Sequence, residues 1–382
     1  RPLVLALQDT TGLSYKHSVC QELGAVNSAS SEKRSPKGRT LYAHSTLMLD
    51  AHEEKVIGLA YQHYWYREKK QIGKQHTLQC RERELKESYK WQNNVEEIAQ
   101  RLGDLSNVID VCDREADIYE YLDYQQSAGH RFVVRAKGNR RLLGEHPKLE
   151  DALAQLKPAG KYTIDIQQKG GRKARTATIA LSYTQVILKK PQRAKGAEGL
   201  PLNIVVCTEV NNDTKSKLQW LLYTTEQVTN ADEARAISRY YELRWRIEEF
   251  HKIWKSEGTE VEKLRMQHID NLKKAAVIQA FIAVRLFQLR ELAQNKEAAE
   301  GICCTTYLNE ISWKLLFKAT ATGKPIPTEP PSLKWAYYAL ARLGRWYDSK
   351  RTGRVGTKAM WDGWVRLMWL VESYAFMKEL DL

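Results

Sequence analysis

The stretch YYELRWRIEEFHKIWK, residues 240–255, divides into two opposed faces when it is wound as an α-helix. At about 100° per residue, the apolar stripe consists of Leu243, Ile247, Phe250 and Trp254. The opposite face carries Tyr241, Arg244, Glu248, Lys252 and Lys255. A solvated helix face also mixes charges, but here one carboxylate stands among four groups that can contact phosphate, with Trp245 at the edge of the stripe. This composition favours a metal-binding acid that is presented to a polyanion such as DNA.

The whole chain is basic. It has 382 residues, with 60 Lys plus Arg against 46 Asp plus Glu, and a formal net charge of +14. Such a balance favours a polyanionic partner, because each neutralised phosphate releases a counterion and adds affinity. Ribosomal and membrane-surface proteins share this property, so charge alone does not identify the partner. The length suggests two or three structural units, and 43% hydrophobic residues suffice for a sizeable core.

Neither a membrane span nor a secretion signal is evident. The run AAVIQAFIAVRLF, residues 275–287, is shorter than the roughly 18–20 apolar residues that cross a bilayer. The six cysteines show no C-x-x-C pair or metal-ligand spacing, so we expect them to be reduced and packed. These features predict a cytoplasmic protein that makes no membrane contact.

Alternating strand and helix patterns predict an α/β fold. Three strand patterns come first, at 2–9, 40–50 and 55–66. They are followed by a helix at 93–102, the strand VIDVC at 108–112, a helix at 116–126 and the strand RFVVRAK at 131–137. Three strands, helix, strand, helix, strand is the element order of an RNase H-like core.

The rest of the chain completes a four-part division. We predict the first part of an RNase H-like core at 1–160, a β-rich insertion at 161–227, the second part of the core at 228–299, and a connector with a C-terminal helical region at 300–382. A long helix is expected at 271–294. The last 50 residues, 333–382, are rich in Trp, Tyr and Leu, and such an apolar terminus must pack on its own core or on a partner.

Two aspartates follow predicted strands. Asp9 ends the first strand on the side of Leu5 and Leu7, where alternation would otherwise place an apolar residue. Alternatively, it starts a turn, since Thr-Thr-Gly follows. Asp113 follows VIDVC and could cap a helix, but Asp117 is closer to the helical pattern and is the better cap. We therefore prefer Asp113 as a metal ligand.

The spacing of Tyr241, Arg244, Glu248 and Lys255 is Y-x2-R-x3-E-x6-K, which resembles the signature of the insertion-sequence-four family of bacterial cut-and-paste transposases. Further similar blocks occur in the same order, at 5–15, 108–122, 131–138, 218–226 and 335–353. The resemblance covers nearly the whole chain. It implies an Asp-Asp-Glu triad at Asp9, Asp113 and Glu248.

The resemblance also implies the remaining site. Three carboxylates suit Mg²⁺, which Mn²⁺ can replace, and two such ions could serve in-line displacement at phosphorus. Phosphate contacts are expected from Tyr241, Arg244 and Lys255, DNA contacts from the basic pair Arg135 and Lys137, and stacking on a flipped base from Trp220. The helix pattern adds Lys252 on the polar face and Trp245 beside it as further DNA contacts. Taken alone, either tryptophan could be a core aromatic, and Arg135 and Lys137 could be an ordinary charged strand end.

The function implied is that of a DNA transposase that works as a homodimer on two transposon ends and then on target DNA. One rival is an RNase H-like nuclease without strand transfer, which joined products from a pre-cleaved end would distinguish. Another is a non-catalytic DNA-binding inhibitor with the same fold, which metal-dependent nicking would exclude. The region 333–382 matches the dimerisation region of the family, although self-packing remains open.

Three features depart from the family pattern. An acidic residue precedes the first aspartate in the family, whereas this chain has Gln8. The loops at 28–39 and 67–90 differ in length and content. The sequence starts at Arg1 inside an apolar run, where the resemblance implies a preceding N-terminal DNA-binding domain.

Overall fold

In the computed structural model, one ten-stranded sheet organises the described residues, which are 2–23, 39–67, 86–166, 174–210, 217–294, 296–349 and 355–380. The strands are β1 (Val4–Tyr15), β2 (Arg39–Asp50), β3 (Val56–Trp65), β4 (Val108–Cys112), β5 (Arg131–Arg135), β6 (Leu142–Leu143), β7 (Gly160–Ile166), β8 (Arg175–Lys189), β9 (Gly199–Glu209) and β10 (Gln219–Thr224). The α-helices are α1 (Lys90–Leu102), α2 (Tyr119–Ser127), α3 (Leu149–Ala154), α4 (Ala231–Leu243), α5 (Trp245–Lys252), α6 (Ile269–Gln294), α7 (Lys296–Gly301), α8 (Glu310–Thr320), α9 (Leu333–Leu343) and α10 (Thr357–Glu379).

The strand order is β3-β2-β1-β4-β5-β10-β9-β8-β6, and β7 pairs with β8. β1 is antiparallel to β2 and parallel to β4, and β4 is parallel to β5. The strands predicted within 161–227 are present, but they do not form a separate sheet. Instead, β10 pairs antiparallel with β5 and extends the first sheet.

The two faces of the sheet carry separate cores because side chains alternate along each strand. On β1, Leu5 and Leu7 face the cluster that includes Ile247 and Phe250 of α5. Ala6 faces the opposite cluster, which includes Trp91 of α1. Asp9 shares the parity of Leu5 and Leu7, so the strand directs it toward the α5 face.

The C-terminal region is helical, as predicted, and α9 packs on its own chain. Leu340 and Trp346 are buried in the same cluster as the α5 residues. By contrast, α10 is exposed at almost every position after Leu367. Self-packing therefore accounts for the apolar residues of α9 but not for those at the end of α10.

None of the helices within the described ranges is both long and apolar enough to cross a membrane. Cys20, Cys112, Cys207, Cys303 and Cys304 are free thiols, and three of them are buried. Cys80 lies outside the described residues, as do most of the two loops that depart from the family pattern.

Two glycines allow α9 and α10 to cross closely. A Cβ atom on Gly363 would overlap the backbone oxygen of Leu340, and one on Gly344 would overlap that of Ala359. Backbone atoms cannot move aside as a flexible side chain can. The crossing therefore requires glycine at both positions for steric reasons.

We expect Gly363→Ala to lower the free energy of unfolding by about 1–2 kcal/mol, because overpacking outweighs the better helix propensity of alanine. Gly301→Ala is the control, since a Cβ atom on Gly301 would meet no neighbouring atom within 4 Å. Urea unfolding measures both variants. Equal stability of the two would show that the crossing has room for a methyl group.

Candidate active site

The register of two parallel strands places Asp9 beside Asp113. Val4 pairs with Val108 and Leu7 with Val111, a constant offset of 104 residues. The same offset joins positions 9 and 113. Burial raises the pKa of Asp113 above its usual value, and the negative charge of Asp9 adds to that rise. The two carboxylates are therefore close enough to repel each other.

The strand positions differ from those predicted. Asp9 does not end a strand, because β1 continues to Tyr15; it lies just beyond the part of β1 that pairs with β4. Asp113 does follow β4, but it also caps a 3₁₀ turn, since its Oδ1 accepts a hydrogen bond of 2.8 Å from the backbone N–H of Glu115. Asp117, preferred as the cap, is not one. It binds Arg140 and the backbone of Lys137 instead.

The stretch at 240–255 is not one continuous helix. Helix α4 ends at Leu243, Arg244 lies at the junction, and α5 is followed by a π-helical turn, Ile253–Glu257. The predicted apolar stripe is nevertheless buried at all four positions.

Arg244 lies between two of the candidate acids. Its Nη2 donates to Oε1 of Glu248 at 2.6 Å, and its Nη1 lies 3.8 Å from Oδ1 of Asp9. Burial lowers the pKa of Arg244, but Tyr241, Asp9 and Glu248 outweigh burial and leave the pKa raised. Arg244 also lowers the pKa of Asp113 in part. One guanidinium thus interacts electrostatically with all three acids.

Asp9 has a second partner that the sequence did not reveal. Nδ1 of the buried His251 lies 3.4 Å from Oδ2 of Asp9. Burial raises the pKa of Asp9, but His251 and Arg244 outweigh it and leave the pKa lowered. Glu248 and His251 are three residues apart in one helix, so they share a side of α5. That E-x-x-H spacing was the available signal.

The donor chemistry of the three acids fits a divalent cation, because Mg²⁺ and Mn²⁺ prefer oxygen ligands. Within the described ranges, however, no three Asp, Glu, His or Cys side chains are gathered closely enough to hold a metal ion. The positive charge between Asp9 and Glu248 is that of Arg244. The acids are thus near one another but not arranged as a finished ligand set.

Among the DNA contacts expected on this stretch, Tyr241 occupies another position than predicted. Tyr241 is not on a polar face. It is buried, and its ring packs against Trp220 at 5.4 Å between centroids. Lys255 donates to the backbone oxygen of Gly12 in β1 at 2.6 Å. Lys252 is exposed and forms an ion pair of 2.5 Å with Glu257.

A second group lies next to the acids. Arg135 donates to the backbone oxygen of Gln219, the neighbour of Trp220, at 3.2 Å. Trp220 is partly buried against Tyr241, and the Arg244 guanidinium lies 5.9 Å from the Tyr241 ring centroid. These contacts connect Trp220 to Arg244 through the Tyr241 ring, and Arg135 contacts the backbone next to Trp220. Beyond this group, Lys137 is exposed after β5 and Trp245 is 47% exposed on α5.

A buried polar network lies on the opposite side of β1. Nε2 of Gln8 donates to Oδ1 of Asp110 at 2.7 Å, and Oε1 of Gln8 lies 2.9 Å from Nε2 of His44. The other ring nitrogen of His44 contacts Oγ1 of Thr10 at 2.8 Å. Tyr121 also donates to Asp110. The amide of Gln8 can donate to Asp110 and accept from His44 at the same time. A carboxylate could not donate to Asp110, which accounts for an amide at position 8.

Residues 91–285, about half of the chain, match the family described as transposase DDE domain. The chain belongs to this family and is a transposase. The matched range contains Asp113, Arg244, Glu248 and His251, whereas Asp9 lies before it.

Asp110 generates a pH-dependent stability. Burial raises its pKa to about 6, although Tyr121, Gln8, Cys112 and Gln125 all donate to it and oppose the shift. Because the pKa of Asp110 is higher in the folded than in the unfolded protein, the folded protein binds more protons at pH values between the two pKa values. The contribution of this acid to stability therefore falls as pH rises from about 4 through 6.

We expect the stability difference between wild type and Asp110→Asn to shift against wild type by about 2 kcal/mol between pH 4.5 and 7.5. Other titrating groups cancel in this difference. Urea unfolding of both proteins at the two pH values measures it. A difference that does not change with pH would mean that Asp110 has the same pKa folded and unfolded.

Proposed function

We propose that this transposase moves DNA by a cut-and-paste reaction at Asp9, Asp113 and Glu248. The observation that carries the proposal is the convergence of β1, β4 and α5, in which Arg244 contacts both Asp9 and Glu248 while the strand register sets Asp113 beside Asp9. Two acids from separated parts of the sequence contact one guanidinium, and the charge of that guanidinium also acts on the third acid. An ordinary structural ion pair with Arg244 would need only one of these acids.

The finer family assignment rests on the sequence. The Y-x2-R-x3-E-x6-K spacing supports membership of the insertion-sequence-four family, and within it the chain resembles the transposon-five transposase. The sheet supports an RNase H-like core, because antiparallel β1 to β3 are followed by parallel β4 and β5 in the order β3-β2-β1-β4-β5. In this proposal the predicted domain boundaries at 160, 227 and 299 also hold, with 161–227 as an insertion that extends the sheet of the core.

The three acids would hold Mg²⁺, or Mn²⁺ in its place. When bound, the cation supplies activation of the attacking oxygen and stabilisation of the leaving oxygen. Glu248 would exchange its contact with Arg244 for this role. Arg244 would then be free to bind a DNA phosphate, for which the guanidinium fork is suited.

Four phosphoryl transfers make up the proposed reaction. Water nicks one strand at the transposon end and releases a 3′-hydroxyl. The hydroxyl attacks the opposite strand and leaves a hairpin, a second water opens the hairpin, and the freed 3′ end joins target DNA. The same acids can serve every step, since only the nucleophile changes.

The surrounding residues would bind the DNA. Lys255 lies against β1, where it donates to Gly12 three positions after Asp9. Trp220 and Tyr241 pack next to Arg244, and Arg135 donates to the backbone beside Trp220. Partial exposure of Trp220 leaves it able to stack on a flipped base. Exposed Lys137, Lys252 and Trp245 would contact the DNA further from the cleaved bond.

We expect Asp9→Asn, Asp113→Asn and Glu248→Gln each to reduce metal-dependent nicking at least about a hundredfold, because each loses a charged ligand while the phosphate contacts remain. Nicking of a duplex that carries the ends of the element measures this, and gel shift measures retained DNA binding. Glu115→Gln is the matched control, since Glu115 is exposed beside Asp113.

The same assay separates the alternative activities. Joined products from a pre-cleaved end support strand transfer, whereas nicking without joining would indicate a nuclease. Near-normal nicking by any one of the three variants would remove that residue from the triad.

We also propose that the exposed end of α10 forms the homodimer contact that holds two DNA ends. Trp369 is 69% exposed, Phe376 61% and Met377 50%. Leu370 and Tyr374 are exposed on the same helix. Large apolar side chains clustered at one helix end are costly in water and mark an interaction surface.

We expect the double substitution Trp369→Glu and Phe376→Glu to remove paired-end complexes in a gel shift while leaving single-end binding and the unfolding transition unchanged. Both side chains contribute little to the chain's own core. The control is Ile278→Glu with Phe281→Glu, which places the same charges on exposed apolar positions of α6. Paired-end complexes at wild-type level in the α10 variant would locate the dimer contact elsewhere.

A further inference from the structure

His251 is a buried histidine with one nitrogen near a candidate ligand and the other without a partner. Nδ1 lies 3.4 Å from Oδ2 of Asp9, and Nε2 is buried with no hydrogen-bond partner among the described residues. The ring lies near those of Phe250 and Trp254, with centroids 5.4 and 6.4 Å away. Packing therefore restricts the orientation of the ring, and only Nδ1 has a polar neighbour.

This one-sidedness favours one tautomer. A lone pair on Nδ1 would face a carboxylate and be repelled, and a proton on Nε2 would then be a buried donor without an acceptor. With the proton on Nδ1, both problems disappear, and only an unpaired acceptor remains at Nε2. The 3.4 Å separation is long for a hydrogen bond, as catalytic contacts often are before substrate binds.

The two oxygens of Asp9 consequently face different partners. Oδ2 faces His251, and Oδ1 faces Arg244 on the side where Glu248 also lies. A carboxylate with one oxygen occupied cannot rotate freely about its last bond. The other oxygen is then left for a ligand between Asp9 and Glu248.

We propose that His251 is a positioning residue, which donates from Nδ1 to Oδ2 of Asp9 and so presents Oδ1 to the catalytic divalent cation. This inference rests on the proposed function of Asp9 as a metal ligand. Ligands of metal ions are commonly oriented by such outer partners, whose loss typically lowers metal affinity about 10- to 100-fold. A histidine that merely fills the core would not need a donor at Nδ1.

Two amide substitutions separate these roles. Asn places its N–H₂ near the position of Nδ1, whereas Gln places it near that of Nε2. Both are polar, and neither matches the ring in shape. We expect His251→Gln to raise the dissociation constant for Mn²⁺ about tenfold or more and His251→Asn to remain within about threefold of wild type.

Mn²⁺ titration of the full chain, followed by electron paramagnetic resonance of the free ion, measures these constants. Asp9→Ala is titrated in parallel. If Asp9→Ala binds Mn²⁺ as tightly as wild type, the proposed metal site fails. If Asp9→Ala weakens binding while His251→Gln matches wild type, or if the Asn and Gln variants weaken it equally, the role of His251 fails and the metal site stands.

A second measurement reads the tautomer in the wild-type protein and uses one variant only to test its cause. In wild-type protein labelled with ¹⁵N-histidine, the nitrogen shifts of His251 report which nitrogen carries the proton. We expect a protonated Nδ1 and a bare Nε2, with a change in the Nδ1 shift in Asp9→Asn. A neutral ring with its proton on Nε2 would overturn the proposal.

Discussion

The parallel pairing of β1 with β4 is the constraint on which the candidate site depends. Side chains alternate along β1, so Gln8 and Asp9 face opposite sides of the sheet. Gln8 is held by Asp110 and His44 on one side, which leaves Asp9 beside Asp113 on the other. A slip of one residue would exchange the two faces and bury a carboxylate where an amide now lies. The buried network thus fixes the register that brings the acids together.

Charge decides how the acids can coexist. Asp9 and Asp113 repel each other, and both lie in partly buried surroundings that disfavour ionisation. His251 and Arg244 offset that cost at Asp9, and Arg244 contacts Glu248 as well. In this state Glu248 is paired with Arg244. Without DNA, Arg244 stabilises the charges of the acids. If it bound a DNA phosphate instead, Glu248 would be released, and DNA binding would be connected to assembly of the proposed site.

The two C-terminal helices, α9 and α10, are similar in composition but differ in burial. Helix α9 is as apolar as α10, yet its residues belong to the main core, and Gly344 and Gly363 bring the two helices into close contact. The end of α10 continues past this crossing with its aromatic side chains in solvent. Removing the whole region would therefore uncover the core, whereas changing only the end of α10 would not.

The sequence by itself determined the α/β class, the main strands and helices and the buried stripe at 240–255, and its family resemblance predicted Asp9, Asp113 and Glu248 as the acids of one site. These follow from local periodicity, from residue types and from a spacing that spans few residues. It did not predict the break at Arg244, burial of Tyr241, capping by Asp113, or the contacts of Gln8 and His251. The contacts of Tyr241, Gln8 and His251 depend on which distant side chain lies opposite, and Asp9 and His251 are 242 positions apart. Only the packing of α5 on β1 decided that pairing, because local sequence carries no information about the distance between residues so far apart along the chain.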